Sequence, residues 1–342
     1  MAVRSEVKWV SLESVEGAWE ALADRVDADP WMRPGWFRAW SQAFAKAPVQ
    51  CLVLSGDDGL RGLVPVLRRG AAVASPTNWH SPGFGVLAED EEARSALLEA
   101  LILDSSSRLA LRFVEETDAA ALLHSGRERR GAERVIARSP YVDLSLYAPS
   151  KNTRRNVRRA RQRLEKRGTV TLEIVTANGD LGRALEEGFA VEAAGWKGRG
   201  GSAIGSRAVT RGFYEDVARW AADRGALRLF FLRVGGRAVA FEFVLEDRGR
   251  LYDLKGGYDE AFADASPGVI ITEALMQYAI QEGLSTVELL GDSEDWKLRW
   301  STGERTRHEV QIFGCTPTAT AQWLTDAHAR RLARRLRAAL RS

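Results

Sequence analysis

The 342-residue chain has only two cysteines, Cys51 and Cys315, too few for a disulfide framework or a cysteine-rich metal site. Its four histidines, at 80, 124, 308 and 328, are scattered and show no HExxH spacing, and no CxxC pair exists, which argues against bound zinc. No apolar run approaches the ~18 residues that a membrane-spanning helix needs. The N-terminus mixes charged with apolar residues and lacks the continuous apolar stretch of a secretory signal. These absences predict a cytoplasmic protein without a transmembrane segment or a metal. No G-x-S-x-G precedes a helix, which excludes a nucleophile elbow, and no Gly-Lys-Ser/Thr follows a strand, which excludes a P-loop. Neither cysteine has a histidine near it in sequence, so both read as core residues. What is present is 45% hydrophobic and 28% charged residues, enough to bury a sizeable core. The length predicts two domains or one large one. Eleven tryptophans is a high count, which places some of them in a groove rather than a core.

The net charge of +3 is unevenly spread. Between Lys151 and Arg167 stand nine basic residues against one acid, Glu165, so the rest of the chain carries −5. A second basic stretch, Arg330 to Arg341, carries Leu332, Leu336 and Leu340 on one helical stripe. Either run reads as a solvated helix face docked by its apolar stripe. The density of the first also fits an anionic neighbour: cofactor phosphates, RNA or a membrane surface.

The periodicity predicts helices over 12–29, capped by Ser11 or Ser14, and over 34–47, then a hairpin turning at Gly56-Asp57-Asp58-Gly59. Strand and loop material at 71–88, a helix over 90–103 and a strand over 109–114 follow. The second half repeats the order. After the basic helix come a strand at 170–175, helices over about 180–194 and 208–224, and a hairpin turning at Gly235-Gly236. LYDLKGGYDE then gives a strand and loop, SPGVIITEALMQYAIQEG a helix, and 285–291 a strand. A hairpin–strand–loop–helix–strand module thus occurs at about 51–114 and again at about 227–291. Strand, crossover helix and strand imply a parallel pair. The expected fold is α/β (α+β), with a mixed twisted sheet flanked by helices in each of two similar domains, 1–148 and 149–342. A basic helix at 150–168 joins them, and a C-terminal helix spans 319–341.

Four segments carry residues suited to chemistry. Ser266, Pro267, Gly268 and Val269 open a helix whose N–H groups and positive end suit an anion, although an ordinary helix start capped by Ser266 reads the same way. In Leu254, Lys255, Gly256, Gly257 and Tyr258, paired glycines interrupt a central strand, as at a splayed strand or a solvent-edge turn. Asp292, Trp296, Lys297 and Trp300 follow the carboxyl end of the next strand, where ligands of open α/β sheets gather; two packed tryptophans on one helix are the plainer account. The glycine-rich loop 195–206 offers Trp196, Lys197 and Arg199 as a substrate-binding loop or a connector.

Taken in order, SKNTRRNVRRARQRLEKRG, GWKGRGGSAI, the GG hairpin, YDLKGGYDEAFADASPGVIITEAL and ELLGDSEDWKLRW resemble the FemAB/FemX-like and CelD-like branch of the GNAT acyltransferase superfamily, over about 140–315. The resemblance implies two GNAT-like domains, the first degenerate and on the acceptor side. It also implies transfer of an acyl group from acyl-CoA, acetyl-CoA first, to an amine of a small molecule or cell-envelope precursor. The usual Q/R-x-x-G-x-G/A signature is absent before the SPG helix. In FemX-like members the donor is aminoacyl-tRNA, and an aromatic–Lys pair similar to Trp296-Lys297 serves its adenine and carbonyl. In coenzyme A members the splayed strand, here Leu254–Tyr258, holds pantetheine. The chemistry needs a base, for which Glu242 (between Phe241 and Phe243) and Asp292 are candidates, and an oxyanion donor, for which Lys297 or the Gly256-Gly257 backbone is a candidate. The absence of aromatics among the basic residues favours acyl-CoA over tRNA. A non-catalytic module holding nucleic acid or an anionic membrane surface through Lys151–Arg167 is the alternative of a different class.

Overall fold

The computed structural model describes residues 6–177, 180–195 and 204–325. In chain order the elements are β1 (Glu6–Ser11), α1 (Leu12–Arg25), α2 (Pro34–Phe44), β2 (Val49–Gly56), β3 (Gly59–Arg69), β4 (Ala72–Ala74), β5 (Leu87–Ala88), α3 (Glu91–Asp104), β6 (Arg108–Val114), α4 (Glu116–Ser125) and β7 (Arg130–Asp143). There follow α5 (Lys151–Glu165), β8 (Val170–Val175), α6 (Leu181–Ala193), α7 (Ala208–Asp223), β9 (Leu227–Val234), β10 (Arg237–Asp247), β11 (Arg250–Tyr258), α8 (Pro267–Gln281), β12 (Thr286–Glu288), α9 (Asp295–Leu298) and β13 (Gly303–Phe313).

The chain forms two compact units, Met1–Phe37 with Ala45–Ile136 and Thr306–Ser342, and Arg38–Phe44 with Ala137–Arg305. Against the expected division at 148/149, the second unit takes in chain from Ala137, and the first takes back the chain from Thr306. In the first unit the sheet order is β1-β2-β3-β4-β6-β13, antiparallel except for the parallel pair β4/β6. In the second, the end of β7 is followed by β12, β11, β10, β9 and β8, with β11/β12 the parallel pair. Each unit is a mixed sheet flanked by helices. The module read from the sequence is present twice: the β2–β3 hairpin, β4, α3 and β6, then the β9–β10 hairpin, β11, α8 and β12.

In both units the parallel strands pair for three residues and then part. In the first, pairing runs from Ala72↔Arg108 to Ala74↔Ala110. The chain's own loop then fills the gap: the Arg112 N–H donates to Ser75 Oγ (2.9 Å) and the Phe84 N–H to the Phe113 carbonyl (2.9 Å). In the second, pairing runs from Arg250↔Thr286 to Tyr252↔Glu288, and no loop of this kind follows among the described residues. In each unit the second strand turns away through a left-handed non-glycine residue, Phe113 (φ +62°) or Leu290 (φ +47°). Such a backbone is costly for a bulky side chain and persists only where its surroundings enforce it.

The basic helix α5 is held by local and tertiary signals together. Ser150 Oγ accepts the Thr153 N–H at 3.0 Å, capping its start. Thr153, Val157, Ala160 and Leu164 recur at helical spacing and form its buried stripe. Val157, Ala160 and Leu164 of that stripe join the core beside Ile270, Ile271, Leu275 and Met276 of α8. Burial of each such aliphatic side chain is worth ~1.5–3 kcal/mol, which outweighs the repulsion among the arginines. Helix α1 starts where Ser11 caps Ser14, and the Gly-Gly hairpin turns through two left-handed glycines.

Two expectations change. The strand at 285–291 is only Thr286–Glu288, because Leu290 and Gly291 are left-handed and cannot continue a ladder. Of the helix expected over 319–341, residues 317–325 are helical, and the remainder, with its arginines, lies outside the described residues.

Cys51 is fully buried, and burial, reinforced by Glu13, pushes its thiol up to about 12. Cys315 is exposed, which corrects its reading as a core residue: it lies just past Gly314, where β13 has ended. A thiol reagent added to native protein should therefore label one cysteine quickly, with Cys51 reacting only on unfolding. Equal labelling rates for both would contradict this packing.

Candidate active site

The paired glycines lie where the second unit's sheet opens. A bulge between Phe243 and Val244 shifts the β10/β11 register, so that Glu242 stands opposite Gly256 and Phe241 opposite Gly257. Opposite residues share a face of the sheet. Glu242 is 8% exposed, and its carboxylate occupies the space a side chain at Gly256 would need. Glycine at 256 therefore lets a buried carboxylate lie flat across a strand. On the other face, a Cβ at Gly257 would stand 3.2 Å from Glu192 Cα, so helix α6 rests against the backbone there. Leu254, Lys255, Gly256, Gly257 and Tyr258 are all half-buried, whereas Leu251, Tyr252 and Asp253 are buried. The change comes where β12 ceases to pair.

Glu192 is a further buried carboxylate beside this strand. It is wholly buried on α6, accepts the Ile204 N–H at 2.7 Å, and lies 3.8 Å from Lys255 Nζ. Burial pushes the Tyr214 phenol up, and the Glu192 charge adds to this. A signal was available, since Glu192 falls on the stripe formed by Ala184, Leu185, Gly188 and Phe189, where a carboxylate is out of place.

Helix α8 begins beneath Tyr258. Ser266 is left-handed (φ +56°) and its side chain caps nothing, so the plainer alternative of a helix start capped by Ser266 does not hold. Pro267 occupies the first turn, and a Cβ at Gly268 would sit 3.5 Å from the Tyr258 ring. Val269 donates its N–H to the Ser266 carbonyl (3.1 Å). The preceding turn, Glu260–Ala265, is clamped by α5's end. The Arg167 guanidinium holds both Asp264 oxygens (2.8 and 2.7 Å) and the Ala261 carbonyl (2.9 Å), and Arg163 holds the Asp264 carbonyl (3.0 Å).

Beyond β12, Lys297 is buried, and its ammonium donates to the Leu290 carbonyl at 2.7 Å. It thus ties down the left-handed turn that carries the chain away from β11. Asp292 is exposed, and its Oδ1 accepts the backbone N–H groups of Arg138 (3.2 Å) and Ser293 (3.0 Å). The Trp296 indole donates to Glu294 (2.6 Å) and lies 5.5 Å from the Lys297 ammonium. Trp300 is a core residue. The structure therefore brings Glu242, the 254–258 strand and the start of α8 around one face of the sheet, and engages Asp292 and Lys297 with backbone groups after β12. Trp196, Lys197 and Arg199 lie outside the described residues. Among the described residues no cluster of His, Cys, Asp and Glu could hold a metal ion, and no helix is long and apolar enough to cross a membrane.

Residues 151–298 match the family model described as "Acetyltransferase (GNAT) domain". No curated protein matches the chain. Among solved structures the chain is similar to L-PGS from Bacillus licheniformis (TM-score 0.58, 12% identity, covering 90% of this chain and 95% of that one). It is also similar to FemX (TM-score 0.57, 12% identity, 89% and 96%). A third similarity is to a tandem GNAT protein from the clavulanic acid biosynthesis pathway (TM-score 0.51, 12% identity, 92% and 100%). At these identities the likeness shows the fold: two GNAT-like domains in one chain.

Proposed function

Starting from a chain whose residues 151–298 match an acetyltransferase (GNAT) domain, we propose that it is an acyltransferase of the GNAT superfamily and moves an acyl group from acyl-CoA, acetyl-CoA first, to an amine acceptor by direct attack in a ternary complex. One observation carries this reading: β11 and β12 pair to Tyr252↔Glu288 and then part, while β11 runs on for six residues above the start of α8. A parallel pair that opens at its carboxyl end makes a slot for an extended ligand.

The donor brings an activated thioester. Strand 254–258 would hold its extended arm through backbone groups, and Ser266–Val269 at the head of α8 would hold its phosphates. The buried Glu242 carboxylate would take the proton from the attacking nitrogen as the C–N bond forms. The C–S bond then breaks, and the leaving thiolate is protonated from solvent. Backbone N–H groups at Gly256-Gly257 would face the developing oxyanion. Lys297 is proposed as a positioning residue, since its ammonium bonds the carbonyl of the turn that keeps the strands apart. Asp292 serves that turn rather than the proton. Tryptophan and cations in the 195–206 loop remain proposed for the acceptor. FemX and L-PGS share the fold, which keeps an aminoacyl ester donor as the competing reading.

Calorimetry with coenzyme A and with acetyl-CoA tests the donor. One site per chain is expected, because in the first unit Ser75 and Phe84 of the chain's own loop fill the matching gap. Absence of heat with either compound, together with transfer from aminoacyl-tRNA, would replace the coenzyme A reading by the other.

A further inference from the structure

The outward face of α5 takes part in nothing described so far. On its inner edge Arg163 and Arg167 hold the Asp264 turn, and Arg161 faces Glu273 at 3.9 Å. The outward face is different. Lys151, Arg154, Arg155, Arg158, Arg159 and Lys166 are all exposed, and none has an acidic partner among the described residues. Among the described residues Arg155 donates only to the Asn152 amide oxygen, at 3.0 Å. At 100° per residue these six side chains lie within roughly one half of the helix circumference, opposite Val157 and Leu164. Glu165 is the one acid among them.

This arrangement is costly in two ways. Like charges meet at i, i+4 in Lys151/Arg155, Arg154/Arg158 and Arg155/Arg159. The first turn also holds no acid and begins with Lys151, so cations sit at the positive end of the helix. Both penalties disappear if a polyanion lies along the face.

We propose that α5 docks the protein on the anionic headgroup surface of a phospholipid membrane. The face lies along one helix of 15 residues, about 22 Å long, which suits an extended sheet of charge. The residues interspersed with the cations on the exposed sides are Asn152, Asn156, Gln162 and Glu165. It therefore carries no aromatic ring to stack on a base and no apolar side chain to enter the hydrocarbon. Such a surface reads charge alone, and its attachment is electrostatic, reversible and sensitive to salt.

Co-sedimentation of the full chain with vesicles provides the test. One set contains phosphatidylcholine only, and the other has part of it replaced by phosphatidylglycerol. Wild type should bind the anionic vesicles, ignore the neutral ones and dissociate as salt is raised. The R154Q/R158Q/R159Q variant keeps good helix formers on an exposed face and should bind about a hundredfold more weakly. Its circular dichroism spectrum and melting temperature should match wild type. If it does not fold, the lipid and salt dependence of wild type, with the single R158Q variant expected to bind several-fold more weakly, decides the matter. Three results overturn the proposal: no binding to anionic vesicles, equal binding to both sets, or an unweakened folded variant. A fourth is wild-type binding to a short duplex RNA, lost in the variant, without vesicle binding, which would assign the face to nucleic acid.

Discussion

Replacing Gly256 by alanine should lower acyl transfer by about two to four orders of magnitude, the range expected when a general base is lost. The new Cβ overlaps the Glu242 carboxylate and stands 2.6 Å from the Phe241 carbonyl oxygen. One obstacle is a side chain that can be expelled. The other is backbone in a paired central strand, which cannot move without breaking register. Overpacking of this kind costs ~1–3 kcal/mol, so the melting temperature should also fall by several degrees. The measurement is kcat and KM together with the thermal midpoint. A Gly256→Ala enzyme with wild-type kcat would mean that Glu242 does not need its present place.

Glu242→Gln separates chemistry from packing. Glutamine has nearly the same shape, so the strand and its neighbours are kept, while the carboxylate proposed to accept the proton is removed. The expected result is a fall in kcat of ~10²–10⁴ with coenzyme A affinity unchanged. Combining the two substitutions adds a control. If the alanine acts through Glu242, then adding Gly256→Ala to the Glu242→Gln variant should reduce kcat little further. Wild-type turnover in Glu242→Gln would remove this residue from the mechanism.

The features legible in the sequence are those with local signatures. The Gly235-Gly236 hairpin, the Pro267 helix start and the stripe of α5 each rest on residues close together in the chain, and each is where periodicity and turn chemistry place it. The strand interrupted by Gly256-Gly257 was also visible, because paired glycines are out of place in a central strand. What the glycines are for was not visible. The reason is Glu242 on one side and Glu192 on the other, brought there by cross-strand register and helix packing. Strand β13 left little trace for a similar reason. Its first half is polar and its second half is buried on both faces, so no alternation marks it. Asp292 and Lys297 read as chemical groups from their place after a strand. Their bonds to backbone groups depend on the left-handed turn at Leu290 and Gly291, which no local rule predicts for a leucine.

A sheet that opens in its middle presents the same hazard as one with a bare outer edge, since a strand with room beside it can recruit a strand from another molecule. The first unit removes that hazard by folding its own loop into the opening. In the second, the stretch beyond Tyr252 is short, carries Lys255, and is interrupted by Gly256 and Gly257, a composition poorly suited to forming intermolecular β-structure. The glycines that interrupt the strand at the proposed ligand slot are thus also those that keep it from sticking to its own kind.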